Sequence, residues 1–231
     1  MIIKVCGMRD PENIRAVSAL DIDWMGFVFW RDSPRYLQQI SSRTGTLPDY
    51  SSLRDDAMRK KADGKKDILR VGVFVDDMPQ NIVTRVVNYR LDIVQLHGDE
   101  SPVMMENLRR TIDPDIHPGI KLMKTIYVGC ADDLKCCADY AGVADYFLFE
   151  PKKPADADTK SLIDWDVLAA YDGQVPFILG GDIGPDDVER LRHFSHPAFC
   201  GISVDAQFET AYAMKDVVAL KAFVECLRKG E

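Results

Sequence analysis

Short apolar runs rich in Val, Ile and Phe recur along the chain, separated by amphipathic, helix-prone stretches. That alternation is the pattern of parallel βαβ units. Eight runs read as strands: Ile2 to Val5, Trp24 to Phe29, Arg70 to Val75, Ile93 to Leu96, Ile120 to Ile126, Tyr146 to Phe149, Phe177 to Leu179 and Phe199 to Ser203. A helix is predicted after each. Pro11-Glu12-Asn13 opens the first, Pro79 the third, Pro102 the fourth and Pro185-Asp186-Asp187 the seventh, since first-turn prolines and acids suit a helix N-terminus. The last helix spans about Lys215 to Arg228, with Val217, Val218, Leu220, Phe223, Val224 and Leu227 available for packing.

Eight such units in 231 residues fit an α/β fold of the (β/α)8 TIM-barrel type, slightly below its usual size of about 250 residues; an open doubly wound sheet with as many units needs more chain. A single domain over residues 1–231 is therefore expected. One stretch is weakly patterned: Ser41 to Lys66, with Gly45, Pro48, Ser51-Ser52 and Arg59-Lys60-Lys61. It is expected to form a solvated loop and the second helix on the barrel exterior, with a basic recognition patch as the alternative.

Charge narrows the choice of ligand. Lys and Arg number 29 against 37 Asp and Glu, a formal net charge of −8, which argues against a nucleic-acid partner. No apolar stretch approaches the roughly 18 to 20 residues of a membrane span, and the segment from Met1 to Cys6 lacks the long apolar region of a signal peptide. A cytoplasmic protein without a membrane partner is expected. The six cysteines, Cys6, Cys130, Cys136, Cys137, Cys200 and Cys226, lack metal-ligand spacing and are expected to be reduced thiols.

In a barrel of this type the chemistry sits at the C-terminal ends of the strands, so polar residues that close each apolar run become candidates. Cys6 follows the first strand, where Arg9 and a helix start stand ready to lower a thiol pKa; the plain alternative is a small buried apolar residue. After the second strand, Arg35 follows Pro34 and can present a guanidinium fork to a carboxylate or phosphate, or lie on the surface. Gln95 and His97 alternate around Leu96 and are expected to face the barrel interior. Glu150 follows Phe147-Leu148-Phe149 and is a candidate general acid; an ion pair with Lys152 or Lys153 is the alternative. Gly180-Gly181 after strand seven, with Asp205-Ala206 after strand eight, suit a cradle of backbone N–H groups for phosphate.

Taken together the motifs resemble the phosphoribosylanthranilate isomerase family of tryptophan biosynthesis. The matching segments are Lys4-Val5-Cys6-Gly7-Met8, Gly26-Phe27-Val28-Phe29 with Ser33-Pro34-Arg35-Tyr36, Val71-Gly72-Val73-Phe74-Val75, Gln95-Leu96-His97-Gly98-Asp99-Glu100, Asp164-Trp165, Pro176 to Gly181, and Phe208-Glu209-Thr210 with Lys215-Asp216. The resemblance runs nearly end to end. It implies a barrel without metal or organic cofactor that carries out an Amadori rearrangement of a phosphorylated sugar–anthranilate substrate; a monomer or homodimer is expected, the exterior helix faces not choosing between them. The family's general base falls on Cys6, its carboxylate-binding arginine on Arg35, and its phosphate-binding amides on Gly180, Gly181 and the neighbourhood of Asp205 and Ala206.

Three departures cluster on one side of the mouth. The family's general acid is an aspartate, replaced here by Glu150, one methylene longer. Its glycine-rich segment before the Asp-Trp pair is replaced by Pro154-Ala155-Asp156-Ala157-Asp158-Thr159-Lys160, and the segment after strand eight reads Ser203-Val204-Asp205-Ala206-Gln207. Asp156, Asp158 and Asp205 are expected to add negative charge where an anionic substrate enters, weakening phosphate binding unless the carboxylates point away. Beside the isomerase stand two alternatives: a barrel acting on or binding another phosphorylated sugar, and a non-catalytic pathway partner.

Overall fold

The computed structural model of the protein describes residues 1–38, 67–152 and 164–229. Eight parallel strands close a barrel in sequence order: β1 (Ile2–Val5), β2 (Trp24–Val28), β3 (Leu69–Phe74), β4 (Ile93–Leu96), β5 (Lys121–Val128), β6 (Tyr146–Pro151), β7 (Phe177–Leu179) and β8 (Phe199–Val204). The seam joins β1 to β8, with Ile2 opposite Gly201 and Val5 opposite Val204. The expected (β/α)8 barrel is thus the observed fold. The weakly patterned Ser41 to Lys66 stretch and the acidic Pro154 to Lys160 segment lie outside the described residues.

Around the strands run α1 (Pro11–Val17), α2 (Pro79–Tyr89), α3 (Pro102–Ile112), the single turn α4 (Cys137–Tyr140), α5 (Val188–His193) and α6 (Val217–Arg228). Their starts follow the expected chemistry. Prolines occupy the first turn of α1, α2 and α3; Asp10 accepts from Asn13 N at 2.8 Å and Ser101 from Met104 N at 3.2 Å. Asp216 accepts from Val218 N and Ala219 N at the start of α6, which buries Leu220, Phe223, Val224 and Leu227 at helical spacing.

The structure departs from the sequence reading at two kinds of place. Pro185–Asp187 forms a 3-10 turn ahead of α5, and after β6 the described chain carries a 3-10 segment, Trp165–Ala170. Side chains explain the turns: Asp187 accepts from Gly184 N and Asp164 from Asp166 N, satisfying N–H groups that open a helix. Strand β6 also runs further than expected. Its pairing with β5 continues through Tyr127 opposite Glu150 and Val128 opposite Pro151, so Glu150 belongs to the strand and is held by its ladder.

Alternation along the strands sorts the interior. Trp24, Val71, Ile93, Met123, Leu148 and Ile178 form an apolar floor inside the barrel, while a larger apolar layer lies between strands and helices. Above the floor the interior becomes polar, with Lys4, Gln95, Thr125 and Ser203 all buried.

Candidate active site

Cys6 follows β1, its N–H donating to Val204 O at 2.9 Å, and only 8% of its surface is exposed. Burial holds the thiol above its ordinary pKa; Lys4 opposes that rise, Asp205 adds to it, Lys215 opposes it and Glu150 adds to it. Cys6 is therefore both the buried residue expected of a cysteine after a strand and a thiol at a barrel mouth.

Opposite it, a polar chain crosses the interior. Lys4 Nζ donates to Gln95 Oε1, and an ammonium, which only donates, fixes the oxygen side of that amide toward itself. Gln95 Nε2 then lies 3.1 Å from both Thr125 Oγ1 and His97 Nδ1, and Thr125 Oγ1 is 3.0 Å from the same ring nitrogen. Because the amide nitrogen only donates, Nδ1 accepts, and the neutral ring carries its proton on Nε2. That nitrogen faces Glu150 Oε2 at 3.8 Å. Gln95 and His97 thus face the interior as expected, and His97 brings the edge of the buried network to within 3.8 Å of the Glu150 carboxylate.

Of the two lysines in the alternative reading of Glu150, Lys153 lies outside the described residues. The other, Lys152, places its Nζ 2.8 Å from Asp133 Oδ1. The Lys152 hydrogen bond, with the N–H of Gly129 and against a small burial cost, pulls the Asp133 carboxyl down to about 2. A folded-state pKa below the unfolded value of about 3.9 means that this contribution to stability is complete above that value and is lost as pH falls toward 2. In Lys152→Met, an NMR carboxyl titration of Asp133 is expected to move up toward the ordinary range. A midpoint unchanged from wild type would show that the backbone N–H groups suffice.

The extra methylene of Glu150 has a defined place. A β-carbon added at Gly180 would sit 3.0 Å from Glu150 Cγ and 2.9 Å from Leu148 Cδ1, so the bare backbone of residue 180 provides the room the longer side chain uses. Gly181 and Asp182 follow with φ of 75° and 41°. The turn is tied to the loop after β8, where Gln207 Nε2 donates to Asp182 Oδ1 at 3.5 Å. Gly180, Gly181 and the Asp205-Ala206 segment thus lie on adjoining loops.

Arg35 is held in a partly buried ion cluster. Its Nε and Nη2 donate to Glu209 at 2.7 to 3.1 Å, and Nε also lies 3.0 Å from Asp205 Oδ1. Lys215, whose side chain is fully buried, reaches Asp205 Oδ1 and Glu209 Oε1 at 2.6 Å each. Burial resists ionisation of Glu209, but its hydrogen bonds to Arg35 and Lys215 hold its carboxyl below the usual range. Asp205 is therefore matched by two cations, which corrects the expectation that it adds uncompensated negative charge at the mouth.

Sequence reading missed Thr125, and quoted Lys4, Glu209 and Lys215 without giving them a role in the site. Lys215 stands in a short antiparallel hairpin, β9 (Glu209–Ala211) with β10 (Met214–Lys215), instead of in the last helix. Period two offered a signal for Lys4, since it shares a strand face with Cys6.

The arrangement gathers a buried thiol, a carboxylate, a guanidinium paired with Glu209 and Asp205, and a glycine turn at one barrel mouth. The family model for N-(5'-phosphoribosyl)anthranilate (PRA) isomerase matches residues 3–226. An N-(5'-phosphoribosyl)anthranilate isomerase of Parabacteroides distasonis is 34% identical over 225 residues, covering 97% of this chain and 92% of that one. One of Phocaeicola vulgatus is 35% identical over 229 residues, covering 99% and 98%. Among solved structures, the phosphoribosylanthranilate isomerase of Thermotoga maritima superimposes with a TM-score of 0.73 at 25% identity, covering 99% of this chain and all of that one. A structure of such an enzyme in complex with reduced 1-(o-carboxyphenylamino)-1-deoxyribulose 5-phosphate gives a TM-score of 0.73 at 22% identity, with the same coverage. With a family match from one end of the barrel to the other, and relatives above 30% identity over nearly their whole length, the chain belongs to the phosphoribosylanthranilate isomerase family of aldose–ketose isomerases.

Proposed function

We propose that the protein converts N-(5'-phosphoribosyl)anthranilate to 1-(2-carboxyphenylamino)-1-deoxyribulose 5-phosphate by an Amadori rearrangement, in the cytoplasm and as a monomer or homodimer. Glu150 protonates the ribose ring oxygen as the C1′–O bond breaks, leaving an iminium. Cys6, as thiolate, removes the C2′ proton to give an enolamine, which tautomerises to the ketone. The observation that supports this division is the placement of one thiol and one carboxylate at the same mouth, with the carboxylate beside the protonated face of His97. An acid and a base positioned on rigid strand ends are what the two proton transfers require.

The remaining residues bind. Arg35 uses Nε and Nη2 on Glu209, and among the described residues its Nη1 has no hydrogen bond, leaving that edge for the anthranilate carboxylate. Gln95 and His97 hold the sugar hydroxyls, while backbone N–H groups of Gly180, Gly181, Asp205 and Ala206 hold the phosphate. Asp205 contributes its amide, with its carboxylate committed to Arg35 and Lys215.

The test is chromatographic conversion of phosphoribosylanthranilate to the ketose by the purified full chain. Product formation is the expected result. Binding of a product analogue without turnover would overturn the isomerase reading in favour of a non-catalytic partner, and turnover of a different phosphorylated aminosugar alone would change the substrate.

The phosphate cradle carries its own prediction. Gly181 has φ of 75°, and a β-carbon there would lie 2.1 Å from Pro151 Cδ. Gly181→Ala must strain or move the turn, so KM is expected to rise about tenfold or more, on the order of the 1 to 3 kcal/mol carried by a strained backbone residue. Steady-state kinetics check this; an unchanged KM would place the phosphate elsewhere.

A further inference from the structure

Lys4 is unusual among the cations of the barrel. Its side chain lies within an interior strand, the residue is fully buried, and among the described residues its hydrogen-bond partner is the neutral amide oxygen of Gln95, with no carboxylate within ion-pair distance. Arg35 and Lys215, the other cations near Cys6, are committed to Asp205 and Glu209. A buried charge without a counter-ion is costly unless an anion meets it. Gly26 locates the candidate anion: a β-carbon added there would lie 2.7 Å from Cys6 Sγ and 3.2 Å from Lys4 Cε, so thiol and ammonium stem crowd the same point in the interior. Alternation along β1 directs both side chains to that face.

We propose that Lys4 is the counter-ion of the Cys6 thiolate, a positioning residue that makes the buried thiol a competent base. The inference rests on the reading of Cys6 as the base. Gln95 holds the ammonium by its oxygen, and Gly26, lacking a β-carbon, leaves the space that the thiol and the lysine stem share. Among the described residues, the charged and titratable groups facing Cys6 are Lys4 on its own strand, Glu150 from β6, Asp205 after β8, Lys215 from β10 and Arg35 after β2. The last three balance one another through Glu209. Glu150 opposes ionisation of the thiol, leaving Lys4 as the cation not matched by a carboxylate. Proton removal balances simply: the thiolate takes the C2′ proton and becomes a neutral thiol.

The experiment is the pH dependence of Cys6 alkylation by iodoacetamide, read on the Cys6 peptide by mass spectrometry because Cys130, Cys136 and Cys226 are exposed and react as well. In Lys4→Met the midpoint is expected to rise by about one pH unit or more, and the acidic limb of kcat/KM to rise with it. Gln95→Glu keeps Lys4 but gives it a carboxylate, and is expected to move both profiles in the same direction, so it decides the matter if Lys4→Met does not fold. Profiles matching wild type in the variants that fold would overturn the proposal. Alkylation needs no substrate, so it reports the Lys4–Cys6 pair by itself. Undiminished turnover in Cys6→Ser would instead remove the base assignment, and with it the purpose of the pair.

Discussion

Cys6→Ser is expected to lower kcat/KM for phosphoribosylanthranilate by about 10² to 10⁴-fold, the range that a positioned general base contributes. Serine is nearly the size of cysteine, and residue 6 closes a strand whose N–H bond to Val204 does not involve the side chain, so the fold and product affinity are expected to persist. What changes is proton affinity: a hydroxyl does not ionise near neutrality, while a thiol has an ordinary pKa of about 8.5. Burial raises that value here, so wild-type kcat/KM is expected to climb with pH through the neutral range toward the thiol's elevated midpoint. Glu150→Gln removes the other proton-transfer group and is expected to lose a similar factor. Glu150→Asp is the informative companion, because Gly180 leaves room for the longer side chain and a shift of about 1 Å at a reacting group can cost on the order of a hundredfold. Stopped-time assays on the three variants check these values, and Cys6→Ser within a few-fold of wild type would contradict the assignment of the base.

The barrel was legible because its strands are short apolar runs, separated by segments with helical spacing and first-turn prolines. The candidate mouth residues were legible for a related reason: Cys6, His97, Glu150 and the two glycines each fall where an apolar run ends, Arg35 lies in the loop beyond one, and Gln95 was found by its alternation with His97. Lys4 and Thr125 were obscured because they lie inside runs, where a charged or hydroxylated residue reads as a flaw in the pattern. Their role depends on which face of the strand they occupy and what stands across the barrel, and neither is a local property. Strand β6 shows the same limit, since its last turn of ladder comes from pairing with Tyr127 and Val128 and not from its own sequence. The hairpin holding Glu209 and Lys215 has strands of three and two residues, too short for alternation to register. Charge counting erred for the same reason: Asp205 adds to the acidic total, yet two cations lie within 3.0 Å of it.

That cluster sets the largest expected loss of stability. Lys215→Met replaces a fully buried ammonium by an uncharged side chain of similar length and leaves Asp205 and Glu209, the latter 6% exposed, sharing Arg35. Breaking a buried charge pair from one side costs about 3 to 5 kcal/mol, on the order of a 10 °C fall in Tm for a chain of this size. The backbone of Lys215 also joins α1 through reciprocal 2.9 Å bonds with Asn13, so the loss is expected to loosen the α1–β10 contact first. Glu209→Gln in the Lys215→Met background should recover part of it by removing the unmatched carboxylate, giving non-additive changes in a double-mutant cycle. The pH dependence has a defined sign. Glu209 titrates below its ordinary value when folded, so its contribution is complete above about pH 4.3 and is lost as pH falls below it. Urea denaturation of the four chains at pH 7 and pH 4 measures both effects, and additive losses would mean that Lys215 and Glu209 act on the fold independently.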